Sequence, residues 1–520
     1  MNLNLLNFRR LLLFSPAILL FACSGSNENS SGLAENAQLV EINDPNVQAD
    51  VLPFSLEFVE QTFSNEQPLP RLQSYVHVMG KSGELLILGG RKQGLHTFKS
   101  EGSNFVRDSS NHFMFVIDPS TGKQWSLDVN QLGDELSAPL SATNMQAYHD
   151  RASDQFYIAG GYGWKADGSN MITFPSMMAF KVEDMIKAIK SGASADQIKG
   201  LISIGKDERY AVTGGELFLL NGNFYLVFGQ RFDGQYRAFG GSDFTQQYTE
   251  EIRIFTLKRN SLEILSYGST KSSDAERPFH RRDGNLLEDI DPVTLNPRIA
   301  AMGGVFLPGI IGAYDYPIYI SGPQNPEIKK DIRQRFSQYE CPVISVVQEG
   351  DSLNSVFHTF FGGISAYYYF QTPAQKNVYD SVTVEHRNDG FPFIADISTF
   401  QVSSDGSYAE YILPKPIPGS RLLGASIRFI PNRALVDLGL AFENGIIRLS
   451  KVPNGEKILA GYIYGGIEAE NPLPRAPNTG TFVSNSLFAV YLNPKPSGAI
   501  PAEKAKKAVF NYNQEHSSGD

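Results

Sequence analysis

The chain has 520 residues, with 35 Phe, 23 Tyr, 47 Gly and 29 Pro, and its net charge is −10. An acidic chain lacks the basic surface that non-specific nucleic-acid binding requires. It contains only two cysteines, Cys23 and Cys341, so a framework of several disulfides is excluded.

The N-terminus carries an export signal. Arg9 and Arg10 precede an apolar run over 11–21 that is too short to span a bilayer, and the run ends in Leu20-Phe21-Ala22-Cys23. This ending resembles the lipobox of bacterial lipoproteins, which implies a signal peptide over 1–22 and acylation of Cys23. The alternative is an ordinary secretory signal with a chance cysteine.

Ser24 follows the cysteine, and in the resemblance to enterobacterial lipoproteins this favours the outer membrane. We therefore expect a protein of the bacterial envelope that touches the membrane only through its lipid, on either the periplasmic or the outer surface. Residues 23–50 are rich in Ser, Asn and Glu and are predicted to form a flexible tether. The folded domain is expected over 51–495, and 496–520 reads as a peripheral polar tail with a short helix near 502–510.

Four segments of the folded domain share one pattern, in which an apolar strand closes on a glycine doublet. They are 85–90, 156–161, 356–363 and 458–466. Repeats of this length bury their apolar faces only by stacking on their neighbours. The pattern predicts an all-β fold, in agreement with the many aromatic and turn residues.

The first unit is the most complete. After Gly89-Gly90 and a polar loop come an apolar strand over 113–118, a tight turn and a strand that opens on Trp125. This order resembles a kelch repeat, in which one unit forms one four-stranded antiparallel blade of a β-propeller. The resemblance implies a propeller for the whole domain.

Weaker copies of this unit predict six blades, with five or seven as alternatives. Blade four is placed with its first strand at 298–307 and its second at 317–322, which leaves 279–292 as a long connection. Blade six has its first strand at 422–429 and lacks an outer strand. The segment 54–59 is predicted to supply that strand and to close the ring, since an open sheet edge is an aggregation liability.

Arginines recur at matching places in the predicted blades. Four precede first strands and two follow second strands, where blade two offers a tyrosine instead. These residues are Arg71, Arg209, Arg298 and Arg421, then Arg91 and Arg231, and Tyr162. Together they predict a funnel that binds a carboxylate or phosphate through bidentate guanidinium contacts. The alternative is that each arginine pairs locally with an acid or a carbonyl.

No catalytic motif, metal site or cofactor is predicted. The eight histidines are scattered, with no pair spaced to bind one metal ion. Cys341 opens an apolar strand, where a buried inert thiol is expected. Tyr148-His149-Asp150-Arg151 fits a turn between strands, at the end of the blade away from the arginine funnel.

Three functions remain open. The first is a non-catalytic binding platform for an envelope protein partner or a glycan. The second follows from the resemblance, because kelch-like propellers include sugar-active enzymes such as galactose oxidase and sialic acid mutarotase. A copper oxidase is excluded because Cys341 cannot be assigned its tyrosine crosslink, which leaves a cofactor-free mutarotase, epimerase or lyase acting on an acidic sugar at the central channel. The third is a purely structural role.

Overall fold

The computed structural model describes residues 44–508, apart from 64–67, 238–239, 306, 310–311, 325, 370–390 and 474–479. Cys23, the predicted signal peptide, most of the predicted tether and residues 509–520 therefore lie outside the described residues. Strands dominate and helices are few, so the protein is all-β. Among the described residues, no helix is long and apolar enough to cross a bilayer.

Six main sheets follow one another along the chain, and we number them sheet 1 to sheet 6. In sheets 1 to 4, consecutive strands lie side by side and antiparallel. The strands are Val76–Met79, Leu85–Leu88, Phe113–Ile117 and Gln124–Asp128 in sheet 1; Gln146–Asp150, Gln155–Ala159, Ser176–Lys181 and Ser203–Lys206 in sheet 2; Glu216–Leu220, Asn223–Val227, Glu251–Lys258 and Glu263–Lys271 in sheet 3; and Asn285–Ile290, Pro297–Met302, Ile318–Ile320 and Glu327–Ile328 in sheet 4.

Sheets 5 and 6 recruit strands from both ends of the folded region. Sheet 5 contains Val343–Gln348, Ser355–Phe361, Ile397–Ser403 and Tyr408–Ile412, extended at one edge by Ser497–Pro501 and Gln48–Leu52 and at the other by Ile447–Arg448, which pairs parallel. Sheet 6 contains Ile430–Pro431, Ile458–Tyr464, Leu487–Asn493 and, as its outer strand, Ser55–Glu60.

The outer strand of sheet 6 lies where the sequence placed it. Ser55–Glu60 pairs antiparallel with Leu487–Asn493, with Phe58 opposite Val490. The Phe58 ring packs edge-on against Phe361 of sheet 5, with 5.3 Å between the ring centroids. This strand therefore covers the edge of sheet 6 and also contacts the neighbouring sheet.

Sheet 4 differs from the prediction. Its first strand is Asn285–Ile290, inside the segment expected to be a connection, and the segment expected to be first is its second strand, Pro297–Met302. The doublet that ends this second strand is Gly303-Gly304, with φ of 65° and 110°, and it lies inside the range expected to be the first strand. The first strand was missed because its polar residues interrupt the apolar pattern, although Asn285 and Asp289 are both buried.

Two other predicted boundaries are corrected. The strand Ser497–Pro501 extends the folded region past residue 495, with Ala499 and Ile500 fully buried, and the described part of the segment expected to form a short helix holds the 3-10 turn Ala502–Lys504 and the strand Lys506–Lys507 instead. The first strand of sheet 6 is Ile430–Pro431, because Ser426 has a left-handed φ of 60° that breaks the extended run predicted over 422–429.

Smaller elements complete the fold. Four small antiparallel sheets are formed by Tyr162–Trp164 with Met171–Thr173, Gln230–Gly234 with Phe244–Tyr248, Leu422–Ala425 with Ile467–Ala469 and Thr481–Val483, and Tyr367–Tyr368 with Lys506–Lys507. The α-helices are Asp134–Leu140, Val182–Ser191, Ala195–Lys199 and Ala434–Asp437. The remaining 3-10 turns are Arg107–Ser109, Val129–Leu132, Glu208–Tyr210, Pro418–Ser420 and Leu449–Lys451.

The sequence accounts for the buried face and the C-terminal end of the longest helix. Val182–Ser191 buries Val182, Met185, Ile186 and Ile189 on one face, and Gly192 ends it in the left-handed conformation that glycine adopts easily. The next helix begins at Ser194, whose side chain forms a capping box with Gln197.

The hydrophobic core lies between the faces of neighbouring sheets. Leu86 and Met114 of sheet 1 pack with Phe156 and Ile158 of sheet 2, and equivalent clusters lie between the following sheets. The largest cluster joins sheet 6 to sheet 5 on one side and to sheet 1 on the other. First strands of successive sheets therefore approach one another around a common centre.

Candidate functional site

Six residues meet at this centre, one from the turn before each first strand, and all have a left-handed φ between 43° and 68°. We call them the central ring: Ser74, Asn144, Gly214, Asp283, Glu340 and Ser426. Backbone hydrogen bonds link most of them in order. The N–H of Ser74 donates to Ser426 O (2.6 Å), that of Asn144 to Ser74 O (3.1 Å) and that of Asp283 to Gly214 O (2.9 Å).

Two carboxyl groups of the central ring lie close together. Asn144 Nδ2 donates to Glu340 Oε1 (3.0 Å) and Asp283 Oδ1 (3.4 Å), and Ser426 Oγ donates to Glu340 Oε2 (3.0 Å). Burial and the neighbouring Asp283 raise the pKa of Glu340 to about 8, and burial also raises the pKa of Asp283 in spite of Arg282 at 3.3 Å. Glu340 therefore keeps its proton at neutral pH.

The central ring separates two cavities. The larger has a volume of about 290 Å³ and is walled by the first strands of all six sheets; we call it the large cavity. Besides Ser74, Asn144, Glu340 and Ser426 of the central ring, its polar lining residues include His77, Tyr148, His149, Arg151, Glu216, Glu288, Ser345, Arg428, Arg433 and Asn444. This is a space into which a monosaccharide-sized ligand can fit.

The charges of the large cavity are largely balanced. Arg428 Nη2 lies 2.9 Å from Glu216 Oε2. Burial lowers the pKa of both His77 and His149 to about 4, so these imidazoles are neutral at physiological pH. The lining therefore presents both hydrogen-bond donors and hydrogen-bond acceptors, and its charged side chains are not all of one sign.

Glu288 is a lining carboxyl group whose pKa lies near neutral pH. Burial raises its pKa to about 7, with Arg151 lowering it and the nearby Glu216 raising it further. A carboxyl group with this pKa is present in both protonation states at neutral pH, as general acid–base catalysis requires. Burial raises the pKa of Tyr148, and the charge of the nearby Glu288 raises it further.

The second cavity, which we call the small cavity, has a volume of about 110 Å³ and lies on the other side of the central ring. Aromatic rings dominate its wall. The His96 and Tyr236 rings are tilted by 55° with 4.4 Å between centroids, and Tyr162 lies edge-on to Phe232 at 5.4 Å. Arg282 lines the same wall, and its Nε donates to the hydroxyl of Tyr248 (3.0 Å).

The predicted arginine funnel does not assemble as a shared lining. Of its seven residues, all within the described chain, Tyr162 alone lines either cavity, and its hydroxyl donates to Gly234 O. Arg91 is 2 % exposed; it donates to Val106 O (2.7 Å) and faces the Phe105 ring, and burial lowers its pKa to about 10.

The other five have local partners, as the alternative interpretation held. Their contacts are Arg71 with Val483 O at 3.0 Å, Arg209 with Asp207 at 2.5 Å, Arg231 with Glu208 at 2.6 Å and Asp233 at 2.8 Å, Arg421 with Glu468 at 2.5 Å and Glu60 at 3.2 Å, and Arg298 with Asp289 at 2.6 Å. Arg298 also lies in a second strand, contrary to prediction, because the true first strand of sheet 4 precedes it.

Sequence reasoning missed most of the cavity residues. Tyr148 to Asp150 belong to the strand Gln146–Asp150, not to a turn, and Tyr148 and His149 line the large cavity. A usable signal was the polar or glycine residue that precedes each first strand, since those residues form the central ring. Among the described residues, no cluster of three or more His, Cys, Asp or Glu side chains could hold a metal ion.

Comparisons with known proteins add little to this description. No protein-family model and no curated protein sequence matches the chain. The solved structure of YjhT is similar to it with a TM-score of 0.40 and 11% sequence identity, over 80% of this chain and 99% of that one. A similarity at this level does not indicate a function.

Proposed function

We propose that this protein is a lipid-anchored, kelch-like β-propeller of a bacterial envelope and that it binds a glycan in the large cavity. The six sheets are its blades, and Ser55–Glu60 closes the last one. Support comes from the order of strands, the cores between successive sheets and the hydrogen bonds of the central ring. The anchor is Cys23, on the strength of its lipobox, and the outer membrane is its location.

The observation that carries the binding role is the chemistry of the large cavity. Arg428 and Glu216 form a pair that can donate to and accept from adjacent hydroxyl groups, and the neutral imidazoles of His77 and His149 can do either. Phe429 supplies an apolar surface for the C–H face of a sugar ring. A concave site of this kind suits a small polyol better than a flat protein surface.

A thermal-shift screen of the chain from Ser24 onward against neutral and acidic sugars tests this role. A ligand at a hundredfold excess over its Kd stabilises the folded state by about 2.7 kcal/mol. Glu216→Gln should abolish the shift. Glu135→Gln is the matched control, because Glu135 pairs with Lys206 on the surface and should keep the shift. No shift with any sugar, together with stoichiometric capture of an envelope protein, would replace the glycan with a protein partner.

Glu288 favours a second candidate, a cofactor-free enzyme acting on an acidic sugar. Its pKa of about 7 allows proton transfer, and Arg151 beside it can bind the carboxylate of the substrate. Anomerisation, epimerisation or cleavage of an acidic sugar should then be lost in Glu288→Gln while the thermal shift persists. Equal rates with and without the protein would remove this candidate.

A further inference from the structure

An imidazole links a cavity-lining hydroxyl to a buried carboxylate at the junction of sheets 4 and 5. His358 lies directly opposite Ser345 on neighbouring strands of sheet 5. Its Nδ1 is 2.8 Å from Ser345 Oγ, and its Nε2 is 3.3 Å from Asp289 Oδ1 on the first strand of sheet 4. Three side chains from two sheets thus form a continuous Ser–His–Asp series.

The charges determine which nitrogen carries the proton. Burial raises the pKa of Asp289, but Arg298 and His358 outweigh it and hold that pKa below its usual range. Arg298 Nε donates to Asp289 Oδ2 at 2.6 Å, which leaves Oδ1 facing the imidazole. At 3.3 Å the ionised Oδ1 attracts the Nε2 side of the ring electrostatically rather than through an aligned hydrogen bond, and this favours the tautomer that carries its proton on Nε2 and turns the lone pair of Nδ1 toward the Ser345 hydroxyl.

The three side chains differ in their exposure to the cavity in the way that nucleophilic catalysis requires. Ser345 is partly exposed and lines the large cavity, whereas His358 is 2% exposed and Asp289 is fully buried behind it. The hydroxyl therefore meets whatever occupies the cavity, while its base is shielded from water. Ser426 also lines this cavity, but its hydroxyl donates to the Glu340 carboxyl group and contacts no imidazole in the described part of the chain.

We propose that Ser345 is a nucleophile, with His358 as its general base and Asp289 as a positioning residue, and that it hydrolyses an O-acyl ester on a carbohydrate held in the large cavity. This inference rests on the proposed glycan binding and adds a chemical step to it. The same three side chains would also fasten sheet 4 to sheet 5, so a structural role alone is the competing explanation.

The step balances without a cofactor. Ser345 Oγ attacks the ester carbonyl carbon as its proton moves to His358 Nδ1. The tetrahedral intermediate then expels the sugar hydroxyl, which takes that proton, and an acyl group remains on Oγ. Water attacks the acyl-serine through the same base, which releases the carboxylic acid and restores the serine.

Covalent labelling of the chain from Ser24 onward tests this directly. A fluorophosphonate should add one phosphonyl group, and peptide mapping should place it on Ser345, with the peptide carrying Ser426 unlabelled as the internal control. Ser345→Ala, which removes a single oxygen atom, should take no label, and His358→Gln should be labelled at least about 100-fold more slowly. Release of p-nitrophenol from its acetate should fall in parallel.

Labelling of the unmodified protein keeps the test decisive even if His358→Gln fails to fold. An unlabelled Ser345, or a labelling rate unchanged in folded His358→Gln, would overturn the nucleophile. A sugar-dependent thermal shift without labelling would leave glycan binding standing and remove only this step. Labelling of Ser345 without any sugar shift would leave a reactive serine but overturn the acylated carbohydrate as its substrate.

Discussion

Glu340 and Asp283 place two carboxyl groups in the narrow partition between the cavities. The amide of Asn144 reaches both, and Ser426 adds a second hydrogen bond to Glu340. Arg282 offsets only part of the cost of burying these two carboxyl groups and of the repulsion between them, since the pKa of both is raised. The centre of the protein therefore binds a proton that an unfolded chain would release at neutral pH.

We expect Glu340→Gln to raise the free energy of unfolding by on the order of 4 kcal/mol at pH 8 and by less than about 1 kcal/mol at pH 5, because one pKa unit corresponds to about 1.4 kcal/mol. The folded pKa of about 8 lies above the ordinary value of 4.5, so the stability of the natural protein falls as pH rises between them. Urea denaturation at both pH values measures the difference. A loss of stability at pH 8 would contradict this reading, and Glu135→Gln provides the exposed control.

At the residue scale, the sequence predicted the kinds of side chain better than their partners. The arginines could be recognised, and two of them pair with an acid two positions away, Arg209 with Asp207 and Arg231 with Asp233. Other partners come from remote strands, as Glu468 does for Arg421. Ser345 and His358 are thirteen positions apart and meet only because their strands pair in register. Such contacts depend on strand register, which no local pattern in this chain specifies.

At the element scale, the second strand of each main sheet ends in two residues with positive φ, five times as Gly-Gly and once as Phe228-Gly229. The turn is also crowded. A Cβ atom added at Gly160 would lie 2.0 Å from Val212 O, in the segment that leads into the first strand of sheet 3. The doublet was the sequence feature that located these strands, and its physical basis is both the left-handed backbone and the close approach.

Gly160→Ala should therefore destabilise the protein by more than about 3 kcal/mol, because the backbone of two sheets must separate. Gly222→Ala is the matched control, with a φ of 80° but open space around its Cβ position, and should cost about 1 kcal/mol. Thermal denaturation of the two variants gives the comparison. Equal losses of stability would show that the cost at Gly160 comes from its positive φ alone and that the close contact with Val212 O adds nothing.

The strand Ser55–Glu60 permits a second paired test. Phe58→Ala removes a ring packed against Phe361 and should cost about 2–4 kcal/mol. Val59→Ala alters the adjacent side chain, which is 37% exposed, and should cost less than about 1 kcal/mol. If chemical denaturation gave similar losses for both, packing of this strand against sheet 5 would not contribute as described.

The second strands of sheets 1, 2, 5 and 6 could be predicted because their apolar runs end at glycine doublets. The first strand of sheet 4 could not, because the groups that Asn285 and Asp289 contact lie elsewhere in the chain. Asn285 Nδ2 donates to Gln338 O at 2.7 Å, and Asp289 meets Arg298 and His358. Buried polar residues whose partners are remote in sequence look like loop residues until the tertiary structure is known.

At the scale of the whole molecule, the buried histidines and the buried glutamates have opposite effects on how the free energy of unfolding changes with pH. Burial lowers the pKa of His77, His96 and His149 to about 4, and it raises that of Glu288 and Glu410 to about 7 and that of Glu340 to about 8. The histidines cost stability as pH falls below 6.5. The glutamates cost stability as pH rises from 4.5 to their folded values.

The two effects cancel between about pH 5 and 6.5, because the unfolded histidines and the folded glutamates both hold protons there. Above pH 6.5 only the glutamate effect remains. We expect the free energy of unfolding to be flat across the first interval and to fall by on the order of 2 kcal/mol between pH 6.5 and 8. Urea titrations at pH 5, 6.5 and 8 measure it, and a rise above pH 6.5 would contradict the assignment.

The pairing of the two ends of the folded region also constrains when folding can finish. Ser497 Oγ donates to Phe54 O at 2.6 Å across 443 positions, and Ser55–Glu60 finds its partner only in Leu487–Asn493. A ribosome must therefore complete almost the entire domain before its first strand has anywhere to pair. We therefore expect sheets 5 and 6 to be completed only after the last strands have been synthesised, because contacts between residues so distant in sequence form slowly.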